Sequence, residues 1–307
     1  MIKIENLSMV FGAGTPDENT ALKNINLTIT RGDFVTLIGS NGAGKSTLYN
    51  ALAGTYQPTQ GKIFIRAVEF NTPPLCGVTK GIKPEVQLYG RTKIKRRSAA
   101  GIFIHDEKGV WRDVTRDPEY RRARYIGRIF QNPLLGTAGN MALEDNMLIC
   151  HKKGYKGLKI SLNNRIRGEF RDALKILDMG LENRMTDNVG LLSGGQRQAL
   201  TLLMTVMSRP NILLLDEHTA ALDPRNAEIV MDLTLRFAQE YKLTVMMITH
   251  NMAHAIKFGN RLLMMDGGEI ILDINSSEKQ KLTTADIVQR FRDIKNQELS
   301  NDEMLLN

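Results

Sequence analysis

Apolar and polar positions follow several spacings along this chain, and each spacing predicts a kind of element. Residues 2–11 and 21–29 partly alternate, which predicts two half-buried strands of an antiparallel sheet. The apolar run 34–39 predicts a strand that is buried on both faces. The apolar run within 211–217 and the segment 243–250 predict two further strands. Residues 261–274 predict a terminal hairpin that turns at Gly267-Gly268.

Helical spacing of the apolar residues predicts helices between and after these strands. The predicted helices are 46–54, 141–149, 170–185, 226–241, 252–258, 285–294 and a long run after Ser193. Strands and helices alternate in the second half of the chain, as they do in parallel α/β proteins. We therefore predict an α/β fold with an antiparallel β subdomain. A helical subdomain is expected at about 134–209 within a domain covering 1–272, and a helical tail at 273–307.

Composition narrows the class of protein. Apolar residues make up 42% of the chain and charged residues 24%, which argues against both a disordered protein and an intrinsic membrane protein. No apolar run approaches the roughly 20 residues that span a bilayer. The two cysteines, Cys76 and Cys150, are too few for a disulfide scaffold, so we expect free thiols in a reducing cytoplasm.

The formal charge of +8 is concentrated in one segment. Residues 66–128 contain 15 Lys/Arg and 7 Asp/Glu, so they carry the whole excess and the remainder is neutral. Residues 66–100 hold no helical or strand period and contain eight basic and two acidic residues. We interpret 66–100 as a basic insertion, flanked by strands at 61–65 and 101–105. A solvated surface loop and a segment that contacts anionic lipid or a membrane partner are both open interpretations.

A glycine-rich segment between a buried strand and a helix matches the phosphate-loop pattern at every fixed position. Its residues are Gly39, Ser40, Asn41, Gly42, Ala43, Gly44, Lys45, Ser46 and Thr47. Glycines allow consecutive backbone N–H groups to surround phosphate oxygens, and the start of the helix adds partial positive charge. Lys45 is expected to reach the β and γ phosphates, and the Ser46 hydroxyl to bind Mg²⁺.

A phosphate loop needs a carboxylate at the end of a neighbouring strand to hold the metal and its waters. Asp216 ends the apolar run 212–215 and is predicted to be that carboxylate. Glu217 follows directly and is predicted to act as the general base that polarises the attacking water. Together, the loop and this strand indicate a nucleotide triphosphatase.

A second candidate anion site lies at the start of another predicted helix. Ser193 is a natural N-cap, Gly194 and Gly195 permit close backbone approach, and Gln196 completes the sequence LSGGQ that begins at Leu192. Lys45 already accounts for the single γ-phosphate of one subunit. A second phosphate site therefore predicts a second nucleotide.

With these motifs, the sequence resembles the ATP-binding cassette (ABC) transporter ATPases over roughly 1–65 and 102–272. The resemblance implies a P-loop NTPase (RecA-like) core with ATP and Mg²⁺ as cofactors. In that family LSGGQ is the signature motif, and it closes over ATP held by the phosphate loop of the opposite subunit. The expected assembly is a homodimer or a pair with a second cassette subunit.

The family resemblance also implies roles for four further residues. Gln131 in IGRIFQNP resembles the glutamine that senses Mg²⁺ and the γ-phosphate, and Asp223 in TAALDP resembles the D-loop aspartate. His250 in MMITHN resembles the switch histidine that contacts the γ-phosphate. Phe11 is the candidate for the aromatic residue that stacks on adenine, although Tyr49 and Tyr56 could lie near it.

One position departs from the family pattern. Proline commonly follows the catalytic glutamate, whereas this chain has His218. The substitution leaves both carboxylates in place, so hydrolysis is still expected. DEHTAALDP and MMITHNMAHAI resemble a subgroup found with putative tryptophan/tyrosine-type amino-acid import systems.

These resemblances imply transport partners. Transmembrane permease subunits would hold the chain at the cytoplasmic face of the membrane, and an extracytoplasmic substrate-binding protein would act indirectly. NPLLGTAGNMALEDNM, after Gln131, resembles the groove that receives a transporter's coupling helix. The alternative is a soluble ABC-type ATPase that acts on nucleic acid or ribosomes. It is disfavoured because the chain has neither a second cassette nor a long coiled coil.

Overall fold

The computed structural model describes residues 1–66, 102–106, 109–151 and 162–305. The strands in this part of the chain are β1 (Ile2–Phe11), β2 (Asn19–Ile29), β3 (Phe34–Gly39), β4 (Gln60–Arg66), β5 (Ile102–Asp106), β6 (Gly109–Asp113), β7 (Ile126–Ile129), β8 (Ile212–Asp216), β9 (Thr244–Ile248), β10 (Arg261–Asp266) and β11 (Glu269–Ile274). The helices are α1 (Lys45–Ala53), α2 (Glu119–Arg122), α3 (Leu143–His151), α4 (Asn164–Lys175), α5 (Gly194–Met207), α6 (Pro224–Glu240), α7 (Met252–Lys257), α8 (Ser276–Lys279) and α9 (Thr284–Leu305).

The first sheet is antiparallel. Within the described residues its strand order is β2-β1-β4-β6-β5. Alternate residues of β1 and β2 are buried, as the partial alternation of the sequence predicts. Both expected flanking strands, 61–65 and 101–105, are present as β4 and β5, but β6 lies between them in the sheet. The insertion predicted at 66–100 lies outside the described residues apart from Arg66.

The second sheet carries the continuously apolar strands. Its order is β11-β10-β3-β9-β8-β7 in the described part of the chain, and β10 through β7 are parallel. In β8, Ile212 and Leu214 face the first sheet and α1, whereas Leu213 and Leu215 face α5 and α6. Burial on both faces explains why this strand shows no alternation. The hairpin predicted at 261–274 is confirmed as β10 and β11.

Two predicted helices are wrong in their bounds. The helix predicted at 285–294 is part of the longer α9, which continues to Leu305. The spacing at 170–185 predicts a single helix, but α4 begins earlier, after the Asn163 side chain that caps it, and ends at Lys175. Asp178 and Gly180 then adopt positive φ angles of 51° and 70°, which a right-handed helix cannot accommodate. Leu181–Asn183 form a short 3₁₀ turn instead.

Candidate functional site

The phosphate loop joins β3 to α1 and depends on glycine for its shape. Gly39, Gly42 and Gly44 have φ angles of +152°, +82° and +93°. A Cβ atom on Gly39 would lie 2.1 Å from the Met265 carbonyl oxygen, and one on Gly44 would lie 2.5 Å from that of Ala21. Only glycine fits these two positions, so the packing of neighbouring strands determines the loop conformation.

Lys45 begins α1 and folds back over the loop. Its Nζ donates to the carbonyl oxygens of Gly39 and Ser40, at 2.9 and 2.7 Å. Burial lowers the pKa of Lys45, while Glu217 and Asp216 oppose that shift. The amine is therefore held above the loop, at the place where an anion bound by the loop would meet it.

Asp216 lies at the carboxyl end of β8, beside two parallel strands. Its Oδ2 atom is 3.2 Å from Nη2 of Arg128, which comes from β7. Nη1 of the same guanidinium donates to Oδ1 of Asn50, in α1, at 2.7 Å. One arginine thus links the strand of the predicted metal carboxylate to the helix that follows the phosphate loop.

Glu217 adopts an uncommon backbone conformation directly after Asp216. Its φ angle is +47°, and its N–H donates to the Ile248 carbonyl oxygen at 3.2 Å. The Glu217 Oε1 atom is 2.5 Å from Nε2 of His250, which follows β9. The structure therefore brings the predicted general base and the predicted switch histidine into direct contact.

His218, the departure from the family pattern, is buried behind Glu217. Its Nε2 is 3.1 Å from Oγ1 of Thr234 in α6, and burial lowers the pKa of His218 to about 4. The Thr234 hydroxyl donates to the Val230 carbonyl oxygen, so it accepts a hydrogen bond from the histidine. Gln198 of α5 donates to the carbonyl oxygens of His218 and Phe130. These hydrogen bonds hold the segment before Gln131 and the segment after Glu217 against α5, the helix that begins at the LSGGQ motif.

The predicted metal ligands Ser46, Gln131 and Asp216 offer only oxygen atoms, which suits Mg²⁺. Gln131 is exposed two residues after β7, next to the end of β8. The described residues contain no group of three or more His, Cys, Asp or Glu side chains that could hold a metal. One hydroxyl, one amide and one carboxylate side chain leave coordination positions for waters and for phosphate oxygens of a nucleotide, which suits Mg²⁺.

The candidate adenine contact lies at the end of β1. Phe11 is 38% exposed, and its ring packs edge-on against Tyr56 with centroids 5.4 Å apart. Tyr56 is equally exposed, whereas Tyr49 is fully buried in α1. Because stacking requires an accessible ring face, Phe11 and Tyr56 remain candidates and Tyr49 does not.

The signature segment forms the start of α5. Ser193 caps the helix by accepting from Gln196 N, and the Gln196 side chain accepts in turn from Ser193 N, at 3.2 and 3.1 Å. Ser193 and Gly194 are exposed, so the first N–H groups of α5 face the surface. This arrangement can accept an anion from outside the chain.

The predicted D-loop packs against the signature segment. Asp223 caps α6 by accepting from Asn226 N at 3.1 Å, and the Asn226 amide donates to the other Asp223 oxygen at 2.6 Å. These hydrogen bonds lower the pKa of Asp223. A Cβ atom on Gly195 would lie 2.6 Å from Cγ of Asn226, so the two helix starts are in close contact.

The predicted site residues therefore form two clusters. The phosphate loop, His250, Glu217 with Asp216, and Gln131 follow the carboxyl ends of β3, β9, β8 and β7, which are consecutive in the sheet. Ser193, Gly195 and Asp223 lie together at the starts of α5 and α6. Sequence reasoning missed Arg128 and Asn50, although an arginine inside the apolar strand IGRIF is a detectable signal.

The strand that ends at Asp216, before Glu217, is not the direct neighbour expected from the sequence, because β9 lies between β8 and the phosphate-loop strand β3. A parallel sheet with a phosphate loop after one strand and a paired Asp-Glu after another still defines a P-loop nucleoside triphosphatase. The chain carries the LSGGQ segment in addition, and residues 22–220 match the family model described as ABC transporter. The chain belongs to the ABC transporter family, as an ATP-binding subunit that hydrolyses ATP.

Two relatives show how far the similarity extends. The chain is 33% identical to the tyrosine transport ATP-binding protein of Clostridioides difficile, over 95% of this chain and 98% of that protein. It is 31% identical to the methionine import ATP-binding protein MetN 2 of Enterococcus faecalis, over 99% of this chain and 75% of that protein.

The fold is similar to that of solved cassettes. A dimeric bacterial ABC transporter cassette superposes with a TM-score of 0.63 at 24% identity, over 90% of this chain and 99% of the other. The P-loop α/β fold with its antiparallel sheet is therefore confirmed. Among the described residues, every helix is too short or too polar to cross a bilayer.

Proposed function

We propose that two copies of this chain, or this chain and a second cassette subunit, hold two Mg-ATP between them and power an importer. The observation that carries this proposal is the presence of two anion sites at the starts of different helices, α1 and α5. The phosphate loop contains its own lysine, whereas Ser193 and Gly194 present a capped helix start to the surface. Because Lys45 of the same chain already accounts for the γ-phosphate, we assign the second site to the nucleotide of a partner.

Each residue of the first cluster has a proposed role. Residues 39–47 surround the phosphates, and Lys45 leaves its carbonyl partners to bind the β and γ phosphates. Ser46, Gln131 and Asp216 would hold Mg²⁺, which supplies charge neutralisation at the phosphates when bound. Glu217 orients and polarises the attacking water, and His250 positions Glu217 and contacts the γ-phosphate. In the second cluster, Ser193, Gly194, Gly195, Gln196 and Asp223 would act across the dimer interface.

The surface after Gln131 supports a membrane partner. Leu134 and Leu135 are 60% and 65% exposed, directly beside this glutamine. Exposed leucines next to a nucleotide-sensing residue are suited to a hydrophobic contact that reports nucleotide state. We propose that transmembrane permease subunits dock here, on the cytoplasmic side, and that a substrate-binding protein delivers the solute to them from outside.

The proposed cargo is an amino acid. This proposal is supported by the subgroup resemblance of the segment after Asp216 and by the relative from Clostridioides difficile, whose name specifies tyrosine transport. The two relatives' names also favour transport over the alternative of an ATPase acting on nucleic acid or ribosomes. Co-purifying the membrane complex and identifying the ligand that its binding protein retains would test the cargo directly.

Replacing Glu217 with Gln tests the shared-site mechanism. Glu217→Gln should bind Mg-ATP without hydrolysing it, because the amide cannot accept a proton. We expect it to accumulate as an ATP-dependent dimer in light scattering coupled to gel filtration, and to return to monomer when ATP is removed. A wild-type chain that hydrolyses ATP at full rate as a monomer would contradict the proposal.

A further inference from the structure

Arg128 is placed beside the predicted metal carboxylate by its position in β7. Its side chain is 13% exposed, and Nη2 lies 3.2 Å from Asp216 Oδ2. The Asn50 side chain accepts from Nη1 at 2.7 Å, and the guanidinium carbon lies 4.6 Å from the ring centroid of Phe130. A strand, a helix side chain and an aromatic ring thus hold the guanidinium in one orientation.

This arrangement gives the site a permanent cation. The guanidinium carries a positive charge, and its planar fork binds carboxylates in a fixed geometry. Arg128 therefore offsets the charge of Asp216 and occupies one of its two oxygens. A divalent cation approaching the same carboxylate meets a like charge a few ångströms away, in a partly buried site where that repulsion is weakly screened.

We propose that Arg128 is a positioning residue that lowers the affinity of the site for divalent cations, so that the metal enters with the nucleotide rather than on its own. This inference rests on the proposed role of Asp216 as a metal ligand. The same charge favours the nucleotide, because it reduces the repulsion between Asp216 and the phosphates. Removing the positive charge of Arg128 should therefore make nucleotide binding more dependent on the metal.

The test measures metal binding rather than turnover. Mn²⁺ is titrated against the full chain, with and without ADP, and free Mn²⁺ is followed by electron paramagnetic resonance. Arg128→Met removes the charge and keeps an apolar contact with Phe130. We expect it to bind Mn²⁺ about tenfold more tightly than wild type in the ADP complex, and to bind ADP more weakly in the presence of EDTA. Arg128→Lys keeps the charge without the planar fork, so its Mn²⁺ affinity should lie closer to wild type than that of Arg128→Met.

A matched control is available in the first sheet. Arg112 is similarly buried, pairs with Asp117 at 2.7 Å and lies over the ring of Tyr125. Arg112→Met should leave the Mn²⁺ affinity unchanged. Arg128→Gln provides a second neutral variant should Arg128→Met fold poorly, and circular dichroism identifies which variants are folded.

The outcomes separate this inference from the function on which it rests. If wild type binds Mn²⁺ with ADP but the neutral variants bind it equally or more weakly, Arg128 does not offset Asp216 and the inference is wrong. If Asp216→Asn binds Mn²⁺ as tightly as wild type does, Asp216 is not a metal ligand. The proposed metal site and this inference would then both be wrong.

Discussion

Glu217 shows how a single residue combines strain and function. Its left-handed φ angle costs free energy for a residue other than glycine, and such strain persists only where the surroundings impose it. Two contacts hold the backbone on either side of Glu217. The Glu217 N–H donates to the Ile248 carbonyl oxygen of β9, and the next residue, His218, is buried against Thr234. The conformation directs the Glu217 carboxylate at His250. The sequence alone predicts both residues but not their contact.

His218 should make folding sensitive to mild acid. Its pKa is about 4 in the folded chain and near 6.5 when exposed. Between these values the unfolded chain binds a proton that the folded chain does not, so the free energy of unfolding falls as the pH falls from 6.5 to 4. The loss is on the order of 3 kcal/mol. His218→Gln cannot titrate and should show a flatter pH profile in urea unfolding.

The control for this pH profile is His254→Gln, at a partly exposed histidine of α7. This variant removes an imidazole that is not fully buried, so it controls for the loss of a histidine as such. If His218→Gln keeps the full wild-type slope, burial of His218 is not the cause of the acid sensitivity.

Replacing Lys45 should affect ATP binding rather than folding. Lys45→Ala should lose most ATP binding while remaining folded, because the amine is bound to carbonyl oxygens of the loop rather than to a buried carboxylate. Isothermal titration with Mg-ATP measures the loss. An unchanged Kd would show that the backbone of the loop alone holds the phosphates.

At the scale of elements, α5 and α6 act together because their starts are packed against each other. Gly195 permits this contact, since any larger side chain there would meet Asn226. Asn226 in turn donates hydrogen bonds to Asp223, so a chain of contacts connects the signature segment to the predicted D-loop. The glycine pattern of LSGGQ is visible in the sequence, whereas the partner that requires the second glycine is visible only in the fold.

Two glycine substitutions distinguish the effect of packing on stability from the effect of helix propensity. Gly195→Ala should lower the free energy of unfolding by about 1–3 kcal/mol because the new methyl group displaces Asn226. Gly194→Ala is the matched control, since a Cβ there would meet Leu222 at an ordinary 3.5 Å. Alanine is the better helix former, so we expect Gly194→Ala to leave stability unchanged or slightly raised. Urea unfolding of the isolated chain measures both, and equal effects would contradict the packing argument.

The sequence pattern predicts some strands and helix ends and not others, and the difference has physical reasons. Strands β3, β8 and β9 are evident in the sequence because burial on both faces favours continuous apolar residues, whereas β7 was not predicted because it is short and contains Arg128. The end of α4 is not evident, because Asp178 and Gly180 adopt positive φ angles while the helical spacing of apolar residues continues past them. β6 contains Gly109 and two charged residues, so its pairing with β4 is a consequence of the sheet rather than of a local pattern.

At the scale of the whole molecule, the two clusters predict complementation between inactive chains. Lys45→Ala should disable the phosphate loop, and Ser193→Arg should block the signature segment. A mixed dimer would combine the intact loop of one chain with the intact signature segment of the other, and so would contain one complete site. With random pairing and independent sites, an equal mixture should recover about a quarter of wild-type ATPase activity.

Each of these variants alone should be nearly inactive, because every dimer it forms lacks one half of both sites. The measurement is the ATPase rate of the mixture against the sum of the separate rates. A mixture that shows no more than that sum would mean that each chain completes its own site. Mixing Lys45→Ala with Glu217→Gln provides the control, since both changes lie in the same half-site and should not complement.

The sequence by itself determined the chemistry of this protein: the phosphate loop, the Asp216-Glu217 pair and the LSGGQ segment are local patterns whose spacing follows from backbone geometry. Tertiary structure decided which of these residues meet. Neighbouring parallel strands bring His250 to Glu217 and Arg128 to Asp216, across separations in the chain that no local pattern encodes. The physical reason is that strand order in a sheet is selected by burial of both faces, a property of the whole fold.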